Sequence, residues 1–145
     1  MTNRELIDEE LTRSVIGAFY EVYNTLGYGF YERFYTKALE IELGLRGHTV
    51  AREVRFPVVY KAHLLGTQRV DMVVDDKLIV ETKATQELHR GAPRQLFSYL
   101  HGSEFEIGLL LHFGPEARFF PVASRNDLRS GASEKRSRPT TRPSA

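Results

Sequence analysis

Arg69 to Lys83 read RVDMVVDDKLIVETK. Two apolar runs, Val70 to Val74 and Leu78 to Val80, flank the polar triplet Asp75, Asp76 and Lys77, the pattern of a tight hairpin between buried strands. Asp71, Glu81 and Lys83 break the apolar pattern. Side chains alternate across a strand, so Glu81 and Lys83 project to one side with Thr82 pointing away between them. Burying a carboxylate and an ammonium in a sheet costs several kcal/mol unless they pair or bind an ion. Asp71, on the neighbouring strand, brings a second carboxylate beside Glu81, and the two should lie close enough to share one ion. Two acids next to a lysine suit a divalent cation and the hydrolysis of a charged ester.

Upstream of this hairpin, Thr49 to Tyr60 alternates charged and apolar residues and predicts a strand with one wetter face, in which Pro57 favours an edge position or a bulge. Lys61-Ala62-His63 turns the chain into the hairpin. Further upstream, Ile7, Leu11, Val15, Ala18 and Val22 recur at helical spacing, widened by Ile16, Phe19, Tyr23 and Leu26, and predict an amphipathic helix from about Ile7 to Leu26. Gly27 and Gly29 end it. A second helix is expected from about Phe30 to Leu45, with Tyr31, Phe34, Ala38, Ile41 and Leu45 on its apolar face. Glu32, Tyr35 and Leu39 share another side of that helix.

Downstream, Ala84 to Pro93 reads as a connection and Arg94 to Leu100 as a short helix carrying Gln95 and Tyr99 one turn apart, closed by Gly102. Ile107 to Leu111 is a buried strand, and Arg118 to Val122 a final one. Two helices, three strands, a helix and two strands make an α/β sandwich with a mixed central sheet flanked by helices. The domain is expected to span residues 1–128. Residues 129–145 are rich in Ser, Arg, Thr and Pro and predict a disordered basic tail.

At 145 residues the chain suits one domain that folds without staples. It has no cysteine, which excludes disulfides and thiolate metal sites and fits a reducing cytoplasm. The polar start MTNRELIDEE lacks a signal-peptide core, and no apolar run approaches the roughly 18 residues of a membrane helix. The net charge of +1 is unevenly spread: six of 20 basic and two of 19 acidic residues lie from Arg125 onward, which leaves the rest of the chain at −3. That part is no basic nucleic-acid platform by charge alone. The five histidines show no ligand spacing.

Asp71 followed by Glu81-Thr82-Lys83 on the next strand resembles the PD-(D/E)xK nuclease superfamily, with Val70 where the superfamily name has proline. Gly29-Phe30-Tyr31-Glu32-Arg33-Phe34-Tyr35 is similar to G-x-x-E-x-x-Y, the signature of the GxxExxY family, a branch of that superfamily. FPVVYK at Phe56 to Lys61, IVETKA, and Gln95 with Tyr99-Leu100 extend the resemblance over about Leu11 to Phe120. It implies a restriction-endonuclease-like fold and metal-dependent cleavage of DNA, in preference to RNA. It further implies that Asp71, Glu81 and the Thr82 carbonyl ligate Mg²⁺ or Mn²⁺, that Glu32 adds a ligand or holds water, that Lys83 orients the attacking water, and that Gln95 faces the site. A duplex cutter would need two sites, hence a homodimer.

Plainer readings stand beside these. Glu81 and Lys83 also fit a structural ion pair at a strand end, and Glu32 a first-turn acid favoured by the helix dipole. Tyr35 and Tyr99 read as core aromatics, Gln95 as a polar helix residue. The rivals to an enzyme are a nuclease-fold module that binds nucleic acid or protein without turnover, and a purely structural domain.

Overall fold

The computed structural model describes residues 3–124. Helices α1 (Asn3–Leu26) and α2 (Glu32–Leu45) precede strands β1 (Val50–Tyr60), β2 (His63–Val74) and β3 (Leu78–Lys83), then helix α3 (Ala92–His101) and strands β4 (Ile107–Phe113) and β5 (Ala117–Ala123). The strands form one sheet in the order β1-β2-β3-β4-β5. Only β3 and β4 are parallel, joined by the crossover through α3, and the other neighbours are antiparallel. This is the mixed sheet expected, of the restriction-endonuclease type.

Strand alternation divides the core in two. Met72, Val74, Leu78, Val80, Leu109, Leu111 and Phe113 face α1 and α2, while Val73, Ile79 and Leu110 face α3. Central β3 is buried on both faces, which explains its unbroken apolar reading. On the α3 side, Gly108 leaves room for Leu96, whose Cδ1 lies 3.0 Å from where a Cβ would stand. Leu11, Val15, Ala18, Phe19 and Val22 line the buried stripe of α1, as the spacing predicts. The side chain of Ile7 and the whole of residues 129–145 lie outside the described residues.

Three expectations need correction. The buried face of α2 is Tyr35, Thr36, Leu39 and Leu43, not the stripe of Tyr31, Phe34, Ala38, Ile41 and Leu45, of which only Ala38 packs partly against the core. Tyr31 is 71% and Leu45 77% exposed. Tyr35 fixes the choice, because its ring stacks on Phe113 at 4.4 Å and its hydroxyl bonds to the Gly27 carbonyl. The helix also begins at Glu32, since Tyr31 is extended with ψ of 150°. Third, α3 begins at Ala92 and contains Pro93, which the first turn tolerates because its N–H would have no helical partner.

β1 is an edge strand with an irregularity between Val58 and Val59, so Pro57 sits beside a bulge at an edge. β1 and β2 stay paired from Val50↔Val74 to Tyr60↔His63, whereas β2 and β3 pair only from Val74↔Leu78 to Met72↔Val80. The sheet therefore splits directly after Met72, at Asp71.

Candidate active site

Where the sheet splits, the next antiparallel pair would be Asp71 opposite Glu81. The backbone groups there find side chains instead. The Asp71 N–H donates to Glu81 Oε1 at 2.6 Å, and the Thr82 N–H donates to Asp71 Oδ2 at 2.7 Å. Each acid thus occupies the place of a ladder acceptor with one oxygen and keeps its other oxygen outside these bonds. The Thr82 hydroxyl also donates to Asp71 Oδ2 at 2.9 Å and lies 2.8 Å from the Thr36 hydroxyl, which locks α2 onto the split. Thr36 Oγ1 also lies 3.0 Å from the backbone carbonyl of Glu32, one turn earlier, so its single proton is shared between that carbonyl and Thr82. Glu32 heads α2, and the backbone N–H of Ala84, just past Lys83, is near enough to its carboxylate to pull its pKa down. Arg52 braces the split from β1, donating to the Asp71 carbonyl at 3.3 Å and pairing with Glu40 at 3.1 Å.

The electrostatics follow from this crowding. Glu81 is 7% exposed. Burial, then the nearby Asp71 charge, pushes its carboxyl up from 4.5 to about 8, against the pull of the Asp71 N–H and of Lys83, with Glu32 adding to the rise. Glu32 keeps much of its surface exposed, yet desolvation of its carboxyl end, then Asp71, raises its pKa. Lys83, the Ala84 N–H and Arg69 oppose that rise. On the α3 side, burial raises the Tyr99 phenol, and the fields of Glu81 and Asp71 raise it further. Three carboxylates therefore share one field, with Lys83 and Arg69 as its positive groups. A bound cation would satisfy what these charges lack, and oxygen donors of this kind suit a hard divalent ion. Among the described residues, however, no three His, Asp or Glu side chains already stand as a metal cage. Asp71 and Glu81 each turn one oxygen onto a backbone N–H group, so a metal would be held through their other oxygens.

The model of the PD-(D/E)XK nuclease superfamily matches residues 9–121, which include most of α1, all of α2, the hairpin and α3. The chain belongs to the PD-(D/E)XK nuclease superfamily. Nucleases of this superfamily generally act on nucleic acids with divalent metal ions. No curated protein matches the chain. A crystal structure described as that of SSO0001 is similar over 63% of this chain and 50% of its own, with 19% identity and a TM-score of 0.50. The chain spans about half the length of that protein, and a likeness at this identity speaks to the fold alone.

Within this nuclease-superfamily domain the fold brings Glu32, Asp71, Glu81, Thr82 and Lys83 together. It does not draw Gln95 onto them. Gln95 is exposed on α3, one turn before Tyr99, and its side chain makes no hydrogen bond with the described residues. Reading the sequence missed Thr36, which has a signal in hindsight as the residue one turn after Glu32. It also missed that Tyr99, though a buried aromatic, faces the acids.

A second constellation lies on the α1 side of the β2–β3 turn. Ser14 Oγ lies 2.7 Å from His48 Nε2, and His48 Nδ1 lies 2.7 Å from Asp75 Oδ2. The connectivity is that of a serine hydrolase relay, but Ser14 stands inside α1, where backbone N–H groups are spent on the helix and cannot face an oxyanion. Asp75 also accepts the Thr49 N–H at 2.8 Å, so the group is a tie between α1, the start of β1 and the hairpin turn. Burial works against the Asp75 charge, but the bonds from Thr49 and His48 outweigh it and hold its pKa below the usual carboxylate value. His112, paired with Thr85, is likewise structural. No described helix is long and apolar enough to cross a membrane.

Proposed function

We propose that the protein is a metal-dependent nuclease that hydrolyses phosphodiester bonds of DNA in preference to RNA, and that it belongs to the GxxExxY branch through Gly29, Glu32 and Tyr35. The observation that carries this reading is the convergence of Glu32, Asp71 and a buried Glu81 with Lys83 at the point where β2 and β3 part. A structural domain gains nothing from three acids in one desolvated field. Asp71, Glu81 and the Thr82 carbonyl would hold Mg²⁺ or Mn²⁺, with Glu32 as a further ligand. Such a cation polarises a phosphoryl oxygen and makes hydroxide available near neutral pH. Lys83 orients the attacking water and balances charge that develops on the phosphoryl oxygens. Glu32, at the head of α2, would hold that water. Gln95, exposed on the α3 side, would meet the substrate and not the acids.

The test incubates the protein with labelled single-stranded and duplex DNA and RNA in Mg²⁺, Mn²⁺ or EDTA. Metal-dependent cleavage, abolished in Asp71→Asn and Lys83→Ala, is expected. A second reading, a binding module without turnover, is favoured by the bonds of Asp71 and Glu81 to the backbone. Binding to nucleic acid with no cleavage in any arm would establish that module in place of the enzyme.

A further inference from the structure

Five of the seven residues from Tyr28 to Phe34 are aromatic or cationic side chains left at the surface. Tyr28 and Phe30 are each 48% exposed, Tyr31 71% and Phe34 46%. They are held in place: the rings of Tyr31 and Phe34 lie nearly parallel, 28° apart with centroids at 6.4 Å, and Phe30 meets Phe34 edge-on at 6.3 Å. The Arg33 guanidinium covers both Tyr31 and Phe34, 5.3 and 4.9 Å from their centroids. We propose that these rings and Arg33 form a stacking platform for unpaired nucleobases, which brings a single-stranded segment of nucleic acid to the acids of the split. The proposal deepens the nuclease reading and rests on it for what the strand is brought to.

Position argues for this occupant. Tyr31 immediately precedes Glu32 in the chain, and the Glu32 carboxyl feels the charges of Lys83 and Arg69, so the platform adjoins the helix end that enters the site. The aliphatic continuation of the same helix face, Ile41 and Leu45, begins about 14 Å farther along and ends about 20 Å away, too far to serve the site. Charge decides which kind of contact such a strand can make. The chain before Arg125 is net negative, so phosphate attraction alone supplies little affinity, whereas stacking is available to every base and needs no positive surface. Bases in a duplex are covered by their neighbours, so the platform selects unpaired ones.

The test uses an oligonucleotide carrying the fluorescent adenine analogue 2-aminopurine, as a single strand and in a blunt duplex, first in EDTA and then in Ca²⁺. Wild-type protein should quench the single strand and bind it more tightly than the duplex. Tyr31→Ala with Phe34→Ala should remove the quenching and weaken single-strand binding at least about tenfold, while Tyr31→Phe with Phe34→Tyr retains both. Both positions are exposed, so an unchanged melting temperature accompanies the loss. Absence of quenching by wild type in either buffer overturns the proposal, as does an equal loss for strand and duplex. It is also overturned if the double variant turns a dimer into a monomer, since the rings would then be a contact between copies. Stacking that persists in a protein that cleaves nothing supports the platform and removes only the nuclease reading.

Discussion

Glu81 is the residue on which charge, stability and metal binding meet. Its carboxyl stands at about 8 in the fold against 4.5 in the unfolded chain. Below pH 4.5 both states hold the proton and the group contributes nothing against folding. Between there and pH 8 the unfolded chain releases a proton that the fold retains, so stability falls as pH rises, and above pH 8 the full penalty remains. In EDTA the melting temperature should therefore decline from pH 5 to pH 8.5, and Glu81→Gln, which carries no charge to desolvate, should flatten that decline and melt higher at pH 8. Equal slopes in the two proteins would show that the charge is relieved some other way. The same proton must leave before a cation binds, so Mn²⁺ affinity measured by calorimetry should rise with pH up to about 8. The acids and the lysine also separate by role. Asp71→Asn should lower metal affinity and cleavage together, whereas Lys83→Ala should keep or tighten metal binding and lower cleavage by orders of magnitude. Glu81 and Lys83 are legible as a pair because strand parity puts them on one side, whereas parity breaks at Asp71, with Met72 in the α1 and α2 core and Val70 in the α3 core. Thr36 and the aspect of Tyr99 were not legible, because each is set by how a helix docks on the split.

Among the elements, α2 shows where a sequence pattern underdetermines the fold. Tyr31, Phe34, Ala38, Ile41 and Leu45 repeat every three or four residues, and so do Glu32, Tyr35, Leu39 and Leu43. Both stripes have helical spacing, and the more apolar one is the one left in solvent. The decision comes from polar partners: Thr36 reaches Thr82, and the Tyr35 hydroxyl donates to the Gly27 carbonyl and accepts the Phe30 N–H. A hydroxyl in a core earns its place only where such partners wait, and hydropathy cannot register them. Tyr35→Phe should cost about 1–2 kcal/mol, because it leaves a carbonyl and an N–H of the 27–31 turn without their partner. Denaturant unfolding checks that figure. The turn leads into Glu32, so Mn²⁺ affinity should fall in the same variant even where it is fully folded, and unaltered affinity would separate the turn from the site.

At the scale of the molecule, the split sheet and the two cores serve one purpose. The α1 and α2 side fixes Glu32 and Thr82, the α3 side encloses Glu81, and the parting of β2 from β3 frees two acids from the ladder they would otherwise complete. Everything that does this lies within residues 9–121 matched by the superfamily, and the buried hydrophobic residues run from Leu11 to Leu111 and Phe113. The succession of helices and strands along the chain was legible because the strands read as half-buried alternations or buried apolar runs. The split was not, because the residues on either side of it have equally good strand character. Since the last strand ends at Ala123, and since the composition beyond Ser130 offers little apolar surface to bury, a chain cut after Ser130 should melt within about 2 °C of the full one. It should also bind Mn²⁺ equally well. Such a cut also removes four Lys or Arg and one acid, a net loss of three positive charges, so nucleic-acid binding is the one property that should weaken, and weaken most at low salt. A large fall in melting temperature on truncation would place part of the fold's stability beyond Ser130 and move the domain boundary with it.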